Sequence, residues 1–386
     1  MKQVVVFVIA VFLVAACTKP KSQTVELKQY NWQTFVMGVD LSYVNEIEDA
    51  AGVYKKDGKQ TDPYVIFKSI GANTVRVRLW HNPSWKKNVT GGKMYSDLFD
   101  VEKTIRRAKE QGMAVNLDLH YSDDWADPSH QALPAAWNGL SLAALKDSVY
   151  NYTLAVLNYL KLKNLVPEMI QVGNETNSGM LWPAGKVNTE SDFVNFGLLL
   201  NSGIKAVRDF SAASTIKPKI ILHVAQLQNA DYWTANITSK GNVTDFDIIG
   251  VSHYYKWSNI NDNSTIGSTI AALKNKYQKD IMIVETAFPW TGKNADSYNN
   301  IFYTDQSTLL GYPVSGEGQQ KYLKDLIQTI AANGGKGLMY WEPAWITSNM
   351  FDRWGTGSSW ENNAFFDFNG NLLSNCNYMM WAYEFK

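Results

Sequence analysis

The chain has 386 residues, and its 36 lysine and arginine residues balance its 36 aspartate and glutamate residues, so the formal net charge is zero. That balance gives no net field to attract nucleic acid or an acidic polymer, and we expect a neutral partner. Aromatic residues are frequent, with 14 tryptophans and 20 tyrosines, and their faces suit the apolar C–H patches of sugar rings.

The N-terminus predicts an exported protein. Lys2 precedes an apolar run from Val4 to Ala16, which is shorter than the roughly 20 residues needed to span a bilayer. The small residues before Cys17 resemble a bacterial lipoprotein processing site. Residues 1–17 are therefore predicted to be a signal peptide, Cys17 the lipidated N-terminus, and residues 18–33 a polar tether to the bacterial membrane, at the outer membrane or cell surface. An ordinary signal peptide cut near Ala16 is the alternative.

Cysteine and histidine usage limits disulfides and metals. Cys17 and Cys376 are the only two cysteines, so a lipidated Cys17 leaves no disulfide within one mature chain. None of the five histidines lies in a His-x-x-His or similar spacing, which argues against a zinc hydrolase. The sequence predicts no cofactor and no bound metal, and we expect a monomer that reaches the membrane only through its lipid.

Eight short apolar runs of β type follow in chain order, at residues 35–40, 74–80, 114–120, 169–175, 219–224, 246–253, 281–286 and 337–342. Helical patterns lie between them, such as Val101, Ile105 and Ala108 before the stop at Gly112. This alternation predicts a parallel sheet, and eight repeats favour closure into a single (β/α)8 barrel over residues 34–386. An open doubly wound sheet is the alternative, although the first run lacks the glycine-rich turn of a dinucleotide site.

The polar residues of these runs lie at their C-terminal ends: Asp40, Arg78, His120, Asn174 with Glu175, His253, Glu285, and Trp341 with Glu342. Buried polar groups cost free energy unless they are paired, so a random scatter would not place them at the same end of nearly every run. In a (β/α)8 barrel that end is the active-site face.

Two carboxylates in this set suit glycoside cleavage, which uses one carboxyl as proton donor and another as nucleophile or base. Glu175 ends the fourth run on a strand face with Gln171, and Glu285 ends the seventh on a face with Ile281 and Ile283. Spacing alone does not choose this pair, because other carboxylates lie near strand ends: Asp40, Asp118, Asp123, Asp124 and Glu342.

Seven strings together resemble glycoside hydrolase family 53 of clan A: Gly38-Val-Asp-Leu-Ser-Tyr43, Asn73-Thr-Val-Arg-Val-Arg-Leu-Trp80, His120-Tyr-Ser-Asp-Asp-Trp-Ala-Asp-Pro128, Gln171-Val-Gly-Asn-Glu175, Gly179-Met-Leu-Trp-Pro183, Val284-Glu-Thr-Ala287 and Tyr340-Trp-Glu-Pro-Ala-Trp-Ile346. The resemblance runs from about Gly38 to about Asn371. It implies a (β/α)8 barrel and a retaining endo-β-1,4-galactanase that cleaves the galactan side chains of pectin, or type I arabinogalactan.

Carried onto this chain, the resemblance makes Glu175 the acid/base and Glu285 the nucleophile. Asn174 would hydrogen-bond the sugar 2-hydroxyl, and Arg78 would keep Glu285 ionised. Further substrate-binding residues are expected around the scissile bond, at Asp40, His120, His253 and Trp341. Candidate stacking platforms are Trp125, Trp182, Trp290 and Trp345.

The sequence departs from the family pattern at two places. The sixth run reads Ser252-His253-Tyr254-Tyr255, with His253 inserted where most members have Ser-Tyr-Tyr. Several bacterial members bind calcium after the seventh strand, but here residues 294–300 contain a single carboxylate, Asp296, and we predict no calcium there.

Two other functions stay open. The catalytic pair equally supports a barrel hydrolase of another β-linked glycan, such as mannan or xylan. An inactive surface glycan-binding lipoprotein is a further alternative, which the presence of both glutamates argues against.

Overall fold

The computed structural model describes Met1 and residues 27–302, 311–374 and 376–386. The predicted signal peptide beyond Met1, Cys17 and most of the predicted tether lie outside the described residues. The end of the tether, residues 27–33, contacts the barrel. The Lys28 backbone N–H donates to the Met380 carbonyl at 2.7 Å, and the Tyr30 hydroxyl donates to the Trp381 carbonyl at 2.6 Å.

Eight parallel strands close into a barrel in the order β1-β8-β7-β6-β5-β4-β3-β2. Their bounds are β1 Val36–Asp40, β2 Thr74–Leu79, β3 Ala114–Leu119, β4 Met169–Val172, β5 Lys219–Ala225, β6 Ile248–Ser252, β7 Asp280–Glu285 and β8 Gly337–Tyr340. Each coincides with a predicted run, so the barrel and the single domain are confirmed. Short antiparallel pairs join Lys55–Lys56 to Lys59–Gln60 and Gly179–Met180 to Gly185–Lys186.

Helices lie between the strands. In the described residues they are α1 Val44–Asp49, α2 Pro63–Ser69, α3 Lys86–Val89, α4 Leu98–Glu110, α5 Leu142–Leu162, α6 Phe193–Ala212, α7 Ala230–Ser239, α8 Asn263–Tyr277 and α9 Gly316–Ala332. At four of the long helices the side-chain oxygen of the N-cap residue accepts a backbone N–H that has no partner within the helix. These N-cap residues are Asp97 at α4, Ser141 at α5, Asp262 at α8 and Ser315 at α9. None of the described helices combines the length and apolarity needed to cross a bilayer.

The barrel has two apolar layers. The larger core packs the outward faces of the strands against the helices, and it includes Ile281 and Ile283. A smaller cluster fills the inside of the barrel, formed by Val36, Met169, Ile221, Ile248, Met282, Val284 and Met339. Because side chains alternate along a strand, this apolar floor leaves the next inward positions, toward the C-terminal ends, to polar groups.

Strand β7 breaks the alternation that the sequence suggested. Val251 pairs with Ile283, but the next residue, Ser252, pairs with Glu285, so β7 has one residue in excess. Glu285 therefore faces inward with Ser252, whereas Ile281 and Ile283 face the helices. The expectation that Glu285 shares a face with these two isoleucines was wrong, although its predicted direction into the barrel mouth is confirmed.

Candidate active site

A cavity of about 810 Å³ opens at the C-terminal ends of the strands. Seven of the predicted site residues other than the two glutamates line it: Asp40, Arg78, His120, Trp125, Asn174, Trp341 and Trp345. Glu175 and Glu285 lie in its wall, and one carboxylate oxygen of each lies within 4.8 Å of the other. The approach of these two oxygens is compatible with the about 5–5.5 Å between the carboxyl groups of a retaining pair, whereas inverting glycosidases need about 6.5–9.5 Å to admit a water.

Arg76 is the buried cation that contacts Glu285. Its Nη2 lies 2.8 Å from Glu285 Oε1 and donates to Asp118 Oδ2 at 2.8 Å, while its Nη1 donates to Asp40 Oδ2 at 2.8 Å. The same Nη2 also donates to Asn174 Oδ1 at 2.9 Å. The Arg76 guanidinium therefore forms ion pairs with three carboxylates, and it fixes the position of Glu285 at the floor of the cavity.

Tyr254 is the second group that holds Glu285. Its hydroxyl donates to Glu285 Oε2 at 2.9 Å, so one carboxylate oxygen faces Arg76 and the other faces the phenol. A hydrogen bond to the charged form of a carboxyl stabilises that form. The two contacts thus favour an ionised Glu285 whose orientation is fixed.

The two glutamates have different electrostatic surroundings. Burial, and next the neighbouring Glu285 charge, raise the pKa of Glu175 to about 8. Burial also raises the pKa of Glu285, but the Arg76 charge and the Tyr254 hydrogen bond oppose this effect. At neutral pH the arrangement therefore suits a protonated Glu175 beside an ionised Glu285, which are the states that a general acid and a nucleophile require.

His223 holds the backbone of Glu175. Glu175 lies in the left-handed region, with φ 43°, and its N–H donates to His223 Nδ1 at 3.2 Å. Gln171 Nε2 also lies 2.9 Å from Nδ1, so this nitrogen accepts, and the ring proton is placed on Nε2, 2.9 Å from Ser252 Oγ. Burial, and next the Arg76 charge, lower the pKa of His223 well below its usual value, which keeps the ring neutral.

His120 has a similarly defined tautomer. Its Nδ1 accepts from Trp80 Nε1 and from the Ala126 backbone N–H, both at 3.2 Å. The proton therefore lies on Nε2, which donates to Asp118 Oδ2 at 3.0 Å.

The position of the Asn174 amide is also fixed, since its Nδ2 donates to the Ala126 carbonyl at 2.7 Å. The second Nδ2 proton of this amide is available to a sugar hydroxyl in the cavity.

Arg78 does not contact Glu285, and the predicted role of Arg78 was wrong. Its Nη1 donates to Glu342 Oε1 at 2.7 Å, and its guanidinium carbon lies 4.1 Å from the centre of the Tyr43 ring and 4.4 Å from that of Trp125. Alternation directs both arginines of β2 inward, but it does not say which one meets the nucleophile. Nε and Nη2 of Arg78 are buried and have no hydrogen-bond partner among the described residues.

His253 does not line the cavity. It follows the inward Ser252, so its side chain faces away from the barrel interior, where it is buried. Burial alone lowers the pKa of His253 to about 4, with no charged group contributing. Tyr254, at the next inward position, occupies the place that we had predicted for His253.

Two of the predicted stacking platforms lie elsewhere. Trp182 donates its Nε1 proton to the Ser178 carbonyl at 2.8 Å, and Trp290 donates to the Glu361 carbonyl at 3.0 Å. Both are loop anchors outside the cavity lining. Additional tryptophans line the cavity instead, at Trp257, Trp354 and Trp360.

Neither possible cation position fits a metal. In the described residues, Glu175, His223 and Glu285 form a group of suitable composition, but both ring nitrogens of His223 are already hydrogen-bonded. In the loop after β7, Asp296 accepts from the backbone N–H groups of Tyr298 and Ser358 and from the Thr347 hydroxyl. Its oxygens are thus committed to protein donors, whereas calcium requires several free oxygen ligands.

Comparison with known proteins identifies the family. The model of glycosyl hydrolase family 53 matches residues 36–379. The chain belongs to glycosyl hydrolase family 53. An arabinogalactan endo-β-1,4-galactanase of Cellvibrio japonicus is 43% identical, with 86% of each chain covered. An endo-β-1,4-galactanase of Bacillus subtilis is 33% identical over 90% of this chain and 86% of its own length.

Solved structures agree with this assignment. The family 53 catalytic domain of Ignisphaera aggregans superposes with a TM-score of 0.83 and 34% identity, over 93% of this chain and all of that one. A structure from a study of two fungal β-1,4-galactanases gives a TM-score of 0.74 at 32% identity, over 89% of this chain and 98% of the other. The chain is therefore a glycoside hydrolase, as the sequence predicted.

Sequence reasoning missed four residues of the site: Arg76, His223, Ser252 and Tyr254. Arg76, His223 and Ser252 occupy inward positions of β2, β5 and β6, and Tyr254 lies at the next inward position, two residues after the end of β6. Strict use of the alternation along each strand would have selected them.

Proposed function

We propose that this enzyme is a retaining endo-β-1,4-galactanase that hydrolyses β-1,4-galactan by double displacement. The observation that carries the proposal is the pair Glu175 and Glu285, within 4.8 Å of each other at the barrel mouth of a family 53 chain. Several relatives are named as arabinogalactan endo-β-1,4-galactanases or endo-β-1,4-galactanases, which supports this choice of glycan.

In this mechanism Glu285, held by Arg76 and Tyr254, attacks the anomeric carbon and forms a covalent glycosyl-enzyme. Glu175 gives its proton to the departing glycosidic oxygen, and the reducing-side product leaves. Glu175 then takes a proton from water, the water oxygen attacks the same carbon, and the bond to Glu285 breaks. Two inversions give net retention of configuration.

The remaining cavity residues position the sugar. The free Nδ2 proton of Asn174 binds the 2-hydroxyl, a contact that strengthens as charge develops on the ring. Trp341 lines the cavity and offers an aromatic face to the sugar. Asp40 and His120 act mainly through their contacts with Arg76 and Asp118.

A polysaccharide panel tests the substrate. Linear β-1,4-galactan, xylan and mannan are incubated with the enzyme, and oligosaccharide release is measured with the anomeric configuration of the first product. We expect β-configured galacto-oligosaccharides from galactan alone. Release from xylan or mannan but not galactan contradicts the substrate, α-configured product contradicts retention, and binding of galactan without turnover indicates a glycan-binding protein.

We also propose that the enzyme is exported and lipid-anchored through Cys17 to the bacterial surface, where a polysaccharide too large for uptake is accessible. The support is the apolar run that ends in small residues before Cys17. Cys17→Ser should abolish labelling by a fatty acid analogue and remove the protein from the membrane fraction. Unchanged membrane retention contradicts the anchor.

A further inference from the structure

A tight turn of the loop after β8 forms part of the cavity rim. Phe351 and Thr356 pair as an antiparallel bridge, and the Asp352 N–H donates to the Gly355 carbonyl at 3.0 Å. Asp352 Oδ1 accepts hydrogen bonds from the backbone N–H groups of Trp354 and Gly355, both at 2.9 Å. We call residues 351–356 the rim turn. Its geometry presents Arg353 and the cavity-lining Trp354 at the tip.

Arg353 ties the rim turn to the opposite loops. Its Nη2 forms an ion pair with Asp124 Oδ2 in the loop after β3. Its guanidinium carbon also lies 4.1 Å from the centre of the Trp85 ring, in the loop after β2, and 4.6 Å from that of Trp354. A guanidinium over an aromatic face is attracted by the ring quadrupole, so the stack and the ion pair hold the turn in one place.

The Asp124–Arg353 ion pair lies across one end of the path that the substrate takes. Glu175 follows β4 and Glu285 ends β7, and the bond to be cut must lie between them. A sugar chain passing between these two residues runs from above β5 and β6 to above β1 and β2. The Asp124–Arg353 pair joins the loops after β3 and β8, which flank β1 and β2 in the barrel. It therefore closes the path at the β1–β2 end.

We propose that the Asp124–Arg353 ion pair is a specificity determinant, which limits the number of sugar residues bound above β1 and β2 and so sets product length. This inference rests on the proposed function for the identity of the sugar. The cavity supports it, because Trp125, next to Asp124, and Trp354, next to Arg353, both line the wall. The pair joins these two walls and lies outside the lining itself.

Linear β-1,4-galacto-oligosaccharides labelled at the reducing end test the proposal. The variants Arg353→Gln, Asp124→Asn and the double variant remove the charges and keep polar side chains, and thermal unfolding checks that each is folded. In each single variant we expect the preferred cleavage site to move by at least one residue, so that more sugars lie on the formerly closed side. The double variant should show no larger shift than Arg353→Gln alone, since the ion pair is already lost when either charge is removed.

Arg208→Gln is the matched control, because Arg208 forms an ion pair with Asp245 at 2.9 Å away from the cavity, and its cleavage pattern should equal that of the wild type. An unchanged pattern in both single variants overturns the proposal. A shift in Arg353→Gln alone also overturns it, because the stack on Trp85 would then be responsible. A wild-type enzyme that cuts no galacto-oligosaccharide contradicts the proposed function instead. The cleavage patterns of the wild type and the variants are then compared on the oligosaccharide that the polysaccharide panel identifies.

Discussion

Tyr254→Phe separates the orientation of the nucleophile from the rest of the catalytic machinery. The substitution removes only the hydroxyl that donates to Glu285 Oε2 at 2.9 Å, and the ring remains packed. A hydrogen bond to a charged group contributes about 1.5–3 kcal/mol. At about 1.4 kcal/mol per factor of ten, kcat/KM on galactan should fall by about 10- to 100-fold.

The pH profile gives a second readout of the same variant. The hydrogen bond from Tyr254 lowers the pKa of Glu285 because it stabilises the ionised form, so its loss raises that pKa. Since Glu285 attacks in its ionised form, the acidic limb of kcat/KM should move to higher pH. The measurement is kcat/KM as a function of pH for the wild type and the variant.

Tyr121→Phe provides the control. Its hydroxyl forms a buried hydrogen bond with Thr153 Oγ1 at 2.7 Å, remote from both glutamates. We expect a loss of about 1 kcal/mol in the free energy of unfolding and no change in the acidic limb. The reasoning about Tyr254 is refuted if Tyr254→Phe keeps the wild-type kcat/KM and acidic limb, or if Tyr121→Phe moves that limb equally.

Three further predictions concern the charged groups. Glu175→Ala should still form the glycosyl-enzyme from an activated aryl galactoside, and azide should restore its turnover with retained configuration. Glu285→Ala lacks the nucleophile, so neither the activated substrate nor azide should give a product of retained configuration. Product stereochemistry by NMR checks this, and the opposite behaviour of the two variants would exchange the two roles. As the pH rises through about 8, kcat/KM should fall because Glu175 loses its catalytic proton, and a rate that stays constant well above that pH contradicts the assignment. Arg76→Gln should lower the free energy of unfolding in urea by about 3–5 kcal/mol, because Asp40, Asp118 and Glu285 lose their shared cation; a stable variant would show that these carboxylates are neutralised otherwise.

The barrel was predictable from the sequence because it depends on patterns that repeat. Eight apolar runs alternate with helical patterns, and each run is short enough to be a strand buried on both faces. Gly112 and the caps at Asp97 and Ser141 mark helix ends by local chemistry alone. Such signals need no knowledge of distant contacts.

The partners within the site were not predictable in the same way. Arg76 and Arg78 are both arginines on the inner face of β2, and the difference between them arises from residues far along the chain, Glu285 and Glu342. The tryptophans have the same limitation. Trp182 and Trp345 both follow strand ends, but only the path of each loop decides which ring reaches the cavity.

The residue in excess in β7 shows that catalysis here depends on the parity of a strand as well as on its side chains. Up to Val284 the inward positions of β7 are even-numbered, and from Glu285 they are odd-numbered. If β7 kept Val284 but paired regularly with β6, Val284 would lie opposite Ser252 and Glu285 would face the helices. Comparisons of related chains should therefore accept a one-residue gap at Val284, because without this residue the glutamate would follow Ile283 directly, lie opposite Ser252 and still face inward.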